Sequence, residues 1–417
     1  MAEERQHIRQ AVFLVGGMGT RLGHLTSATP KPLLEVAPDL PFLDVLIENV
    51  ARQGFTRVLL IAGHLGNQID ARYHQKTIRG AHISVLREPA PAGTGGALAL
   101  ARELLDPWFL LCNGDTLFDI NLRAFVAQRP QHALGKIALR RVADPARYGS
   151  VQLDDERITA FGEKRAGNTR WGLISAGVYV LHRDAAGRLA TPSSLEIDLF
   201  PELAAHGQLA GEIFDGYFLD MGLPDTFALA ARDIPGRRRR PAAFLDRDGV
   251  LNLDVGHAHR PDQLQWIPGA QQAVRYLNDA GYFVFVVTNQ AGVAKGYYSE
   301  PDVHAFHDQM QRDLAAAGAY VDAFYYCPYH ADATTPQYRA VAHPDRKPAP
   351  GMILRALDEW PVEVDGSFLI GDHDTDMAAA RAAGIRGVLF ESDNLHAAVR
   401  AAAGADSRSQ QFAEASV

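Results

Sequence analysis

The chain has 417 residues, of which 47% are hydrophobic and 22% are charged, and its 41 basic and 49 acidic residues give a formal net charge of −8. This length predicts two or three domains, each large enough to bury a core, and the acidic balance argues against a nucleic-acid-binding protein. The two cysteines, Cys112 and Cys327, are too few for a disulfide framework and fit a cytoplasmic protein.

Short apolar runs rich in β-forming residues alternate with amphipathic stretches at residues 11–15, 45–52, 58–62 and 108–112. The first of these runs is far shorter than the roughly 20 residues of a membrane span, so no membrane partner is expected. The pattern restarts after residue 240, with strands at 242–245, 282–287 and 368–370 and helices near 270–280 and 301–317. Such alternation predicts an α/β protein with parallel sheets covered by helices, divided into domains at residues 8–235 and 242–395.

A basic run flanked by helix breakers, Pro-Gly-Arg-Arg-Arg-Arg-Pro, lies at residues 235–241. In an acidic protein such a run is more typical of a solvated segment than of a nucleic-acid patch, so we predict a short linker at 236–241. Residues 401–417 are small and polar and are predicted to be disordered.

A glycine-rich stretch follows the first predicted strand, and two basic residues come after it. The residues are Gly16, Gly17, Gly19, Thr20, Arg21 and Lys31. Glycines let backbone N–H groups approach phosphates closely, and Arg21 and Lys31 supply the positive charge that a triphosphate requires. Taken alone, the stretch fits a tight strand-to-helix turn with a surface lysine equally well.

Two aspartates follow predicted strands in the same half. Asp115 ends an Asn-Gly-Asp sequence directly after the run at 108–112, and Asp220 lies in Tyr-Phe-Leu-Asp-Met-Gly. Carboxylates at two strand ends can hold Mg²⁺ between the phosphates of a nucleotide and an attacking phosphate. As an alternative, either aspartate could cap a helix.

Together these motifs resemble the sugar-1-phosphate nucleotidyltransferase family over residues 8–233. The resemblance implies a Rossmann-like domain with a GT-A-like mixed sheet, in which the glycine loop holds the triphosphate and Asp115 and Asp220 bind Mg²⁺. It further implies base contacts from Gly93, Thr94, Gly95 and Gly96, and sugar contacts from Glu163, Lys164, Gly177 and Glu196. Residues 91–97 and 113–122 are most similar to the branch that makes GDP-heptose from D-glycero-α-D-manno-heptose 1-phosphate, which implies GTP.

The second half begins with an Asp-x-Asp pair, Asp246 and Asp248, at the end of the strand at 242–245. Two positions apart on an extended chain, both carboxylates can serve one pocket, as a nucleophile and a proton donor. Isolated pairs of this kind are common in loops. Here three further motifs follow in order: Thr288-Asn289 after a strand, Lys347 in Arg-Lys-Pro, and Asp372 after the strand at 368–370.

This four-part pattern resembles the haloacid dehalogenase (HAD) superfamily over residues 241–391, and it implies a Rossmannoid phosphatase. The interval from Asn289 to Arg346 has room for only one helix, one strand and loops, so no large cap domain is expected. The resemblance implies that Asp246 forms an aspartyl phosphate, while Asp248 protonates the leaving alcohol and then activates water. Thr288 and Asn289 would hold phosphate oxygens, and Lys347 would offset their charge. Asp246, Asp372 and the carbonyl of Asp248 would bind Mg²⁺.

The stretch at residues 327–348 is similar to the zinc loop of histidinol-phosphate and heptose-bisphosphate phosphatases. Those relatives bind zinc with Cys-x-His and a later Cys-x-Cys, whereas this chain has Tyr329 at the histidine position and His343 and Asp345 at the later cysteine positions. Two alternatives stay open at this point. Cys327, His330, His343 and Asp345 could form a mixed zinc site, or the loop could be metal-free.

The two resemblances together imply a bifunctional enzyme of GDP-heptose biosynthesis with Mg²⁺ in both halves. The second half would remove the 7-phosphate of heptose 1,7-bisphosphate, and the first would join the resulting heptose 1-phosphate to GMP from GTP. Alternatives are another sugar, such as mannose or an N-acetylhexosamine, with a phosphatase for a different ester such as histidinol phosphate, or a non-catalytic sensor. The oligomeric state is left open.

Overall fold

The structure, a computed structural model, describes residues 7–130, 132–143, 145, 150–162 and 171–404. These residues form two compact units, of which the first ends at Gly236 and the second begins at Arg237. The sequence predicts a linker at residues 236–241. In the structure, residues 236–237 end the last helix of the first unit, and residues 240–241 begin the first strand of the second. Pro235 lies in the last turn of that helix, which ends at Arg237.

The strands of the first unit are, in chain order, β1 (Gln10–Leu14), β2 (Glu35–Ala37), β3 (Leu40–Pro41), β4 (Arg57–Ala62), β5 (Thr77–Ile78), β6 (Ala81–Arg87), β7 (Trp108–Asn113), β8 (Thr116–Asp119), β9 (Gly135–Val142), β10 (Ser150–Asp154), β11 (Arg157–Gly162), β12 (Gly172–His182), β13 (Leu209–Ile213) and β14 (Tyr217–Asp220). Ten of them form one sheet in the order β10-β11-β13-β9-β12-β7-β1-β4-β6-β5, beside which β2 pairs with β3 and β8 pairs with β14.

Helices cover this sheet and contribute the rest of the core of the first unit. They are α1 (Phe42–Arg52), α2 (Gly66–Tyr73), α3 (Gly93–Leu100), α4 (Leu122–Ala127), α5 (Arg183–Ala186), α6 (Phe200–Ala205) and α7 (Pro224–Arg237), with shorter 3-10 turns at Thr20–Thr26, Lys31–Leu33 and Arg102–Leu104 and a π turn at Leu195–Leu199. In α1, Phe42, Leu46 and Val50 recur at helical spacing and are buried, which is the amphipathic pattern that the sequence shows at 45–52.

The first sheet is mixed, because β1 runs parallel to β4 and β7 while β12 runs antiparallel to β7 and β9. The mixed sheet implied by the family resemblance is confirmed. The expectation of a parallel sheet, which came from the alternation of elements, holds only for part of this unit, because an apolar run indicates that a strand is buried but not its direction.

The second unit has a five-stranded sheet in the order β17-β16-β15-β18-β19, and every pair in it is parallel. Its elements are β15 (Arg240–Leu245), α8 (Ala270–Asp279), β16 (Phe283–Asn289), α9 (Ala291–Ala294), α10 (Glu300–Ala316), β17 (Ala323–Cys327), α11 (Gly351–Glu359), β18 (Val362–Gly371), α12 (Asp374–Ala382), β19 (Arg386–Leu389) and α13 (Leu395–Ala403), with 3-10 turns at Pro261–Gln263 and Pro336–Tyr338.

The central strand β15 is buried on both faces of this sheet. Ala243 and Leu245 belong to the apolar cluster on one face, and Ala242 and Phe244 belong to the cluster on the other. Burial on both sides explains why the strand is a continuous apolar run in the sequence. It also places Asp246, the next residue, at the carboxyl edge where β16 and β18 end as well.

The chain connecting these strands is short. Residues 290–322 contain α9 and α10, and residues 328–361 contain a loop, a 3-10 turn and α11. The predicted absence of a large cap domain is therefore confirmed for residues 237–404, all of which the structure describes. Of the predicted disordered tail, residues 401–403 belong to α13, and residues 405–417 lie outside the described part. Within the described ranges, no helix combines the length and apolar character that crossing a bilayer requires.

A buried histidine on α10 should make the second unit sensitive to acid. His307 stacks on Phe324 with ring centroids 4.4 Å apart, and burial, together with the positive charge of Arg247, lowers its pKa well below the ordinary 6.5. Below about pH 6.5 the unfolded chain binds a proton at His307 that the folded chain does not, so this residue should lower the free energy of unfolding by up to about 1.4 kcal/mol per pH unit. Asp246, whose pKa is raised to about 6, acts in the opposite direction, so the effect of His307 is measured as a difference: in urea titrations at several pH values, the stability of the wild type relative to His307→Phe should fall with this slope on acidification.

Candidate active sites

The candidate catalytic residues of the second unit lie where its central strands end. Asp246 and Asp248 follow β15, Thr288 and Asn289 are the last residues of β16, and Asp372 follows β18. Because these strands are parallel neighbours, their carboxyl ends meet at one edge of the sheet, which is where open α/β sheets bind ligands. The structure therefore brings together the residues of three of the four separated sequence motifs.

Lys347 reaches this edge from the loop at residues 328–350. Its Nζ lies 2.8 Å from Asp246 Oδ1 and 2.6 Å from Asp376 Oδ1, and it donates to the carbonyl oxygen of Val287 at 2.9 Å. Burial raises the pKa of Asp246 to about 6, an effect that Lys347 opposes and Asp376 reinforces. Burial lowers the pKa of Lys347, but the two carboxylates outweigh it, so the net shift is upward and favours the charged ammonium.

The site carries more negative than positive charge. Oxygen atoms of Asp246, Asp372 and Asp376 all lie within 4.8 Å of one another. Within the described ranges, Asp372 Oδ1 is buried with no hydrogen-bond partner, and burial raises the pKa of Asp372. Three carboxylates facing one lysine, with one oxygen unpaired, are a donor set that suits a hard divalent cation such as Mg²⁺. Asp246 and Asp372 are the side chains that would hold it.

Asp372 also lies close to the turn that carries Asp248. Gly249 has φ +85°, and a Cβ at this position would clash with the Asp372 carboxylate. Only glycine adopts this positive φ readily and also lacks the Cβ that would clash with Asp372. The glycine therefore allows the loop after β15 and the loop after β18 to approach each other closely.

Both carboxylate oxygens of Asp248 accept hydrogen bonds. Arg247 donates to them from Nε at 3.1 Å and from Nη2 at 2.8 Å, Asn252 Nδ2 donates at 2.9 Å, and Gln290 Nε2 donates at 3.0 Å. Gln290 Nε2 also donates to Thr288 Oγ1 at 2.8 Å. These partners hold Asp248 in one orientation at the pocket. The sequence reasoning did not identify Arg247, Asn252 or Gln290, although each lies within four positions of a motif residue.

The side chains considered for zinc do not converge on one point. Cys327 Sγ lies 3.9 Å from His343 Nδ1, but the Asp345 carboxylate pairs with Arg355 at 3.0 Å. Across the described residues, the only group of three or more metal-ligating side chains close enough to share an ion is the aspartate cluster. Cys327, His330, His343 and Asp345 therefore do not form a set of three converging ligands in the described structure.

In the first unit, the glycine stretch follows the central strand β1. Gly19 has φ +65° and precedes the 3-10 turn that begins at Thr20, while Arg21 is exposed. A Cβ at Gly16 would clash with the carboxylate of Glu88, which follows β6, and burial raises the pKa of Glu88. The sequence reasoning missed Glu88. The signal that could have found it is its position after a parallel strand, at the same sheet edge as Gly16.

Asp115 lies beside this stretch, because the preceding Gly114 donates its backbone N–H to the carbonyl of Leu14 at 2.9 Å. The Lys31 ammonium lies 2.5 Å from Asp115 Oδ2, and Asp220 lies opposite Thr116 in the β8–β14 pair. The glycine stretch, one predicted cation and both predicted metal ligands are therefore neighbours. Two carboxylates at adjoining strand ends have the oxygen chemistry that Mg²⁺ prefers.

One candidate base residue contacts one candidate sugar residue. Thr94 Oγ1 donates to Glu196 Oε2 at 3.0 Å, and Gly95 donates its N–H to the carbonyl of Ser193 at 2.9 Å. Gly177, at φ +71°, packs against the side chain of Asn113. Glu163 and Lys164, which are predicted to meet the sugar phosphate, lie outside the described residues.

Comparisons with known proteins follow the division into two units. A nucleotidyl transferase family model matches residues 10–236, more than half of the chain, and a HAD-hydrolase-like model matches residues 345–414. The chain is also 49% identical over 162 residues to the D-glycero-beta-D-manno-heptose-1,7-bisphosphate 7-phosphatase of Rhodopseudomonas palustris, covering 39% of this chain and 89% of that protein. This chain belongs to the nucleotidyl transferases and, in its second unit, to the HAD-like hydrolases.

A second phosphatase relative agrees with this assignment. The D-glycero-D-manno-heptose-1,7-bisphosphate 7-phosphatase of Thermosynechococcus vestitus is 47% identical over 159 residues, which cover 37% of this chain and 80% of the relative. The crystal structure of HddC from Yersinia pseudotuberculosis complexed with GMP-PN covers 54% of this chain and 100% of its own, at 27% identity and a TM-score of 0.49. That score is too low to assign a ligand. The family matches themselves make the chain a bifunctional enzyme, a nucleotidyltransferase joined to a phosphatase.

In the HAD-like unit, Lys347 should be essential for stability as well as for activity. Lys347→Met would leave the carboxylates of Asp246 and Asp376 buried without their shared counter-charge. We expect the free energy of unfolding to fall by about 3–5 kcal/mol at neutral pH, measured by urea unfolding. The double variant Lys347→Met/Asp376→Asn should recover part of that loss, because one uncompensated charge is removed. Equal stability of the single and double variants would contradict this account.

Proposed function

We propose that the HAD-like unit hydrolyses the 7-phosphate of D-glycero-D-manno-heptose 1,7-bisphosphate, and that the nucleotidyl transferase unit then transfers GMP from GTP to heptose 1-phosphate. The products are phosphate, GDP-heptose and pyrophosphate. The observation that carries this proposal is the high identity to heptose bisphosphate phosphatases in a chain that also contains a nucleotidyl transferase. The product of the first reaction belongs to the substrate class of the second.

In the phosphatase reaction, a carboxylate oxygen of Asp246 attacks phosphorus and the bond to the sugar oxygen breaks, leaving an aspartyl phosphate. Asp248 gives a proton to the departing sugar oxygen and later takes one from the water that hydrolyses the intermediate. Lys347, in contact with Asp246 at 2.8 Å, offsets the charge of the phosphate. A bound Mg²⁺ would supply further neutralisation, with Asp246 and Asp372 as its side-chain ligands.

In the transferase reaction, a phosphate oxygen of heptose 1-phosphate attacks the α-phosphorus of GTP in line with the departing pyrophosphate. Little covalent work is required of the protein, so positioning and charge neutralisation carry the rate. The glycine loop with Arg21 and Lys31 would hold the triphosphate, and Asp115 and Asp220 would hold Mg²⁺. Glu196, which Thr94 holds through its hydroxyl, is the proposed acceptor for a sugar hydroxyl.

The setting proposed for both reactions is the cytoplasm. The two buried cysteines of the chain, Cys112 and Cys327, are free thiols, as is usual in a reducing compartment. The anomer of the sugar is part of the proposal to be tested, because the Rhodopseudomonas phosphatase is named for the β anomer, whereas the GDP-heptose branch that the first unit resembles uses the α anomer.

The deciding experiment supplies each anomer of heptose 1,7-bisphosphate with GTP and Mg²⁺ and identifies the products by mass spectrometry. We expect heptose 1-phosphate first and GDP-heptose after it. Mannose 1-phosphate, an N-acetylhexosamine 1-phosphate and histidinol phosphate serve as parallel substrates. Faster turnover of any of these than of the heptose compounds would overturn the assignment of the corresponding unit.

A further inference from the structure

The loop at residues 328–350 of the HAD-like unit carries Lys347 to the catalytic edge, and it contains only one short 3-10 turn. Ordering an irregular segment of this length is entropically costly, so such a loop needs fixed cross-connections. In relatives with the Cys-x-His and Cys-x-Cys pattern, a zinc ion makes that connection. The described residues of this loop show a different one.

The histidines of the loop are not arranged as metal ligands. His343 Nδ1 accepts the backbone N–H of Asp345 at 3.1 Å, and His330 Nδ1 accepts the N–H of Asp332 at 3.1 Å. A ring nitrogen that accepts a backbone N–H has its lone pair engaged, so Nδ1 of neither histidine is free for a metal in this arrangement. The carboxylate of Asp345, the remaining oxygen donor considered, is engaged by Arg355.

In this loop, a pair of stacked rings lies where the relatives have their zinc ligands. The rings of Tyr329 and His343 are 4.0 Å apart and inclined by 6°, and Tyr338 packs edge-on against Tyr329 at 5.8 Å. The stack joins the start of the loop to the stretch that contains Lys347. These are the same two stretches that a zinc ion would join in the relatives.

Two further contacts continue from the stack to the catalytic lysine. Arg346 Nη1 donates to the carbonyl oxygen of Tyr329 at 3.2 Å. Asn289 accepts the backbone N–H of Lys347 at 3.1 Å and donates from Nδ2 to the Lys347 carbonyl, also at 3.1 Å. Arg346 is thus held by the backbone of Tyr329, and the adjacent Lys347 by the last residue of β16.

We propose that the Tyr329–His343 stack replaces zinc as the cross-connection of this loop, and that both residues are positioning residues that act through Arg346 and Lys347. The functional part of this inference rests on the proposed phosphatase activity, whereas the structural part does not. Zinc content is a property of the loop whichever phosphate ester the unit hydrolyses. The proposed phosphatase activity and the proposed replacement of zinc can therefore be disproved separately.

The test compares the full-length protein with three variants. The wild type, purified with zinc in every buffer and then dialysed, should retain less than about 0.1 equivalent of zinc, and a zinc chelator should leave its Mg²⁺-supported phosphate release unchanged. The triple variant Tyr329→His/His343→Cys/Asp345→Cys restores the pattern of the relatives. It should bind about one equivalent of zinc, and its phosphate release should become sensitive to the chelator.

The positioning role is tested by Tyr329→Ala and Tyr329→Phe. Tyr329→Ala should lower kcat for phosphate release about ten- to hundredfold at temperatures where the variant is folded, while pyrophosphate release in the other unit is unchanged. Tyr329→Phe keeps the ring and should retain kcat within about twofold. One tightly held zinc in the wild type, a triple variant that gains none, or equal kcat values for Tyr329→Ala and Tyr329→Phe would each overturn the proposal.

Discussion

Asp246→Asn should reduce phosphate release by at least about 10³-fold while pyrophosphate release from GTP and a sugar 1-phosphate continues at the wild-type rate. An amide cannot form the aspartyl phosphate, so the proposed covalent route is lost. The folded structure should persist, because the substitution is isosteric and replaces a buried carboxylate whose pKa burial raises to about 6. Both activities should be measured on one preparation.

The matched control for this variant is Asp365→Asn, an isosteric change at an exposed position of the same unit. It should leave both activities unchanged. Phosphate release by Asp246→Asn within about tenfold of the wild type would exclude Asp246 as the nucleophile.

Asp115→Ala should have the opposite effect, lowering pyrophosphate release by about 10²- to 10³-fold or more and leaving phosphate release unchanged. The substitution removes a proposed metal ligand and the partner of Lys31, whose ammonium lies 2.5 Å from the Asp115 carboxylate. Lys31 is itself 7% exposed, so its orientation depends on that pair. A pyrophosphate assay with GTP and saturating sugar 1-phosphate makes the measurement.

Glu103→Ala, at an exposed acidic residue of the same unit, is the control and should retain full transferase activity. Loss of both activities from Asp115→Ala, or from Asp246→Asn, would contradict two independent sites. Such a result would show that the activity of the unmutated unit depends on the mutated one.

Much of the fold and the position of the second site could be predicted from the sequence, because both depend on local pattern. The continuous apolar run before Asp246 predicts a strand buried on both faces, and β15 is such a strand. Once the strands are known to be parallel, their carboxyl ends must meet at one edge, which brings Asp246, Thr288 and Asp372 together. The roles assigned to these residues remain predictions until they are tested.

The hydrogen-bond partners of the site could not be predicted in the same way. Gln290 contacts Asp248 across 42 positions of chain, and Asp376 shares Lys347 with Asp246. Such contacts depend on how loops turn after each strand, and turns of this kind leave no periodic signal in a single sequence. The loop around His343 shows the same limit, because its donor residue types suggest a metal site, whereas the structure directs Asp345 towards Arg355.

The point at which α7 gives way to β15 restricts how this polypeptide can be divided. The helix ends at Arg237 and the strand starts at Arg240, so a break that spares both elements must fall at residues 238–239. A later break would delete the middle strand of the five-stranded sheet, and an earlier one would remove the final turn of a helix that buries Ile234. If either enzyme is expressed separately, or if the gene splits in evolution, the boundary that keeps both elements intact must therefore lie within these few codons.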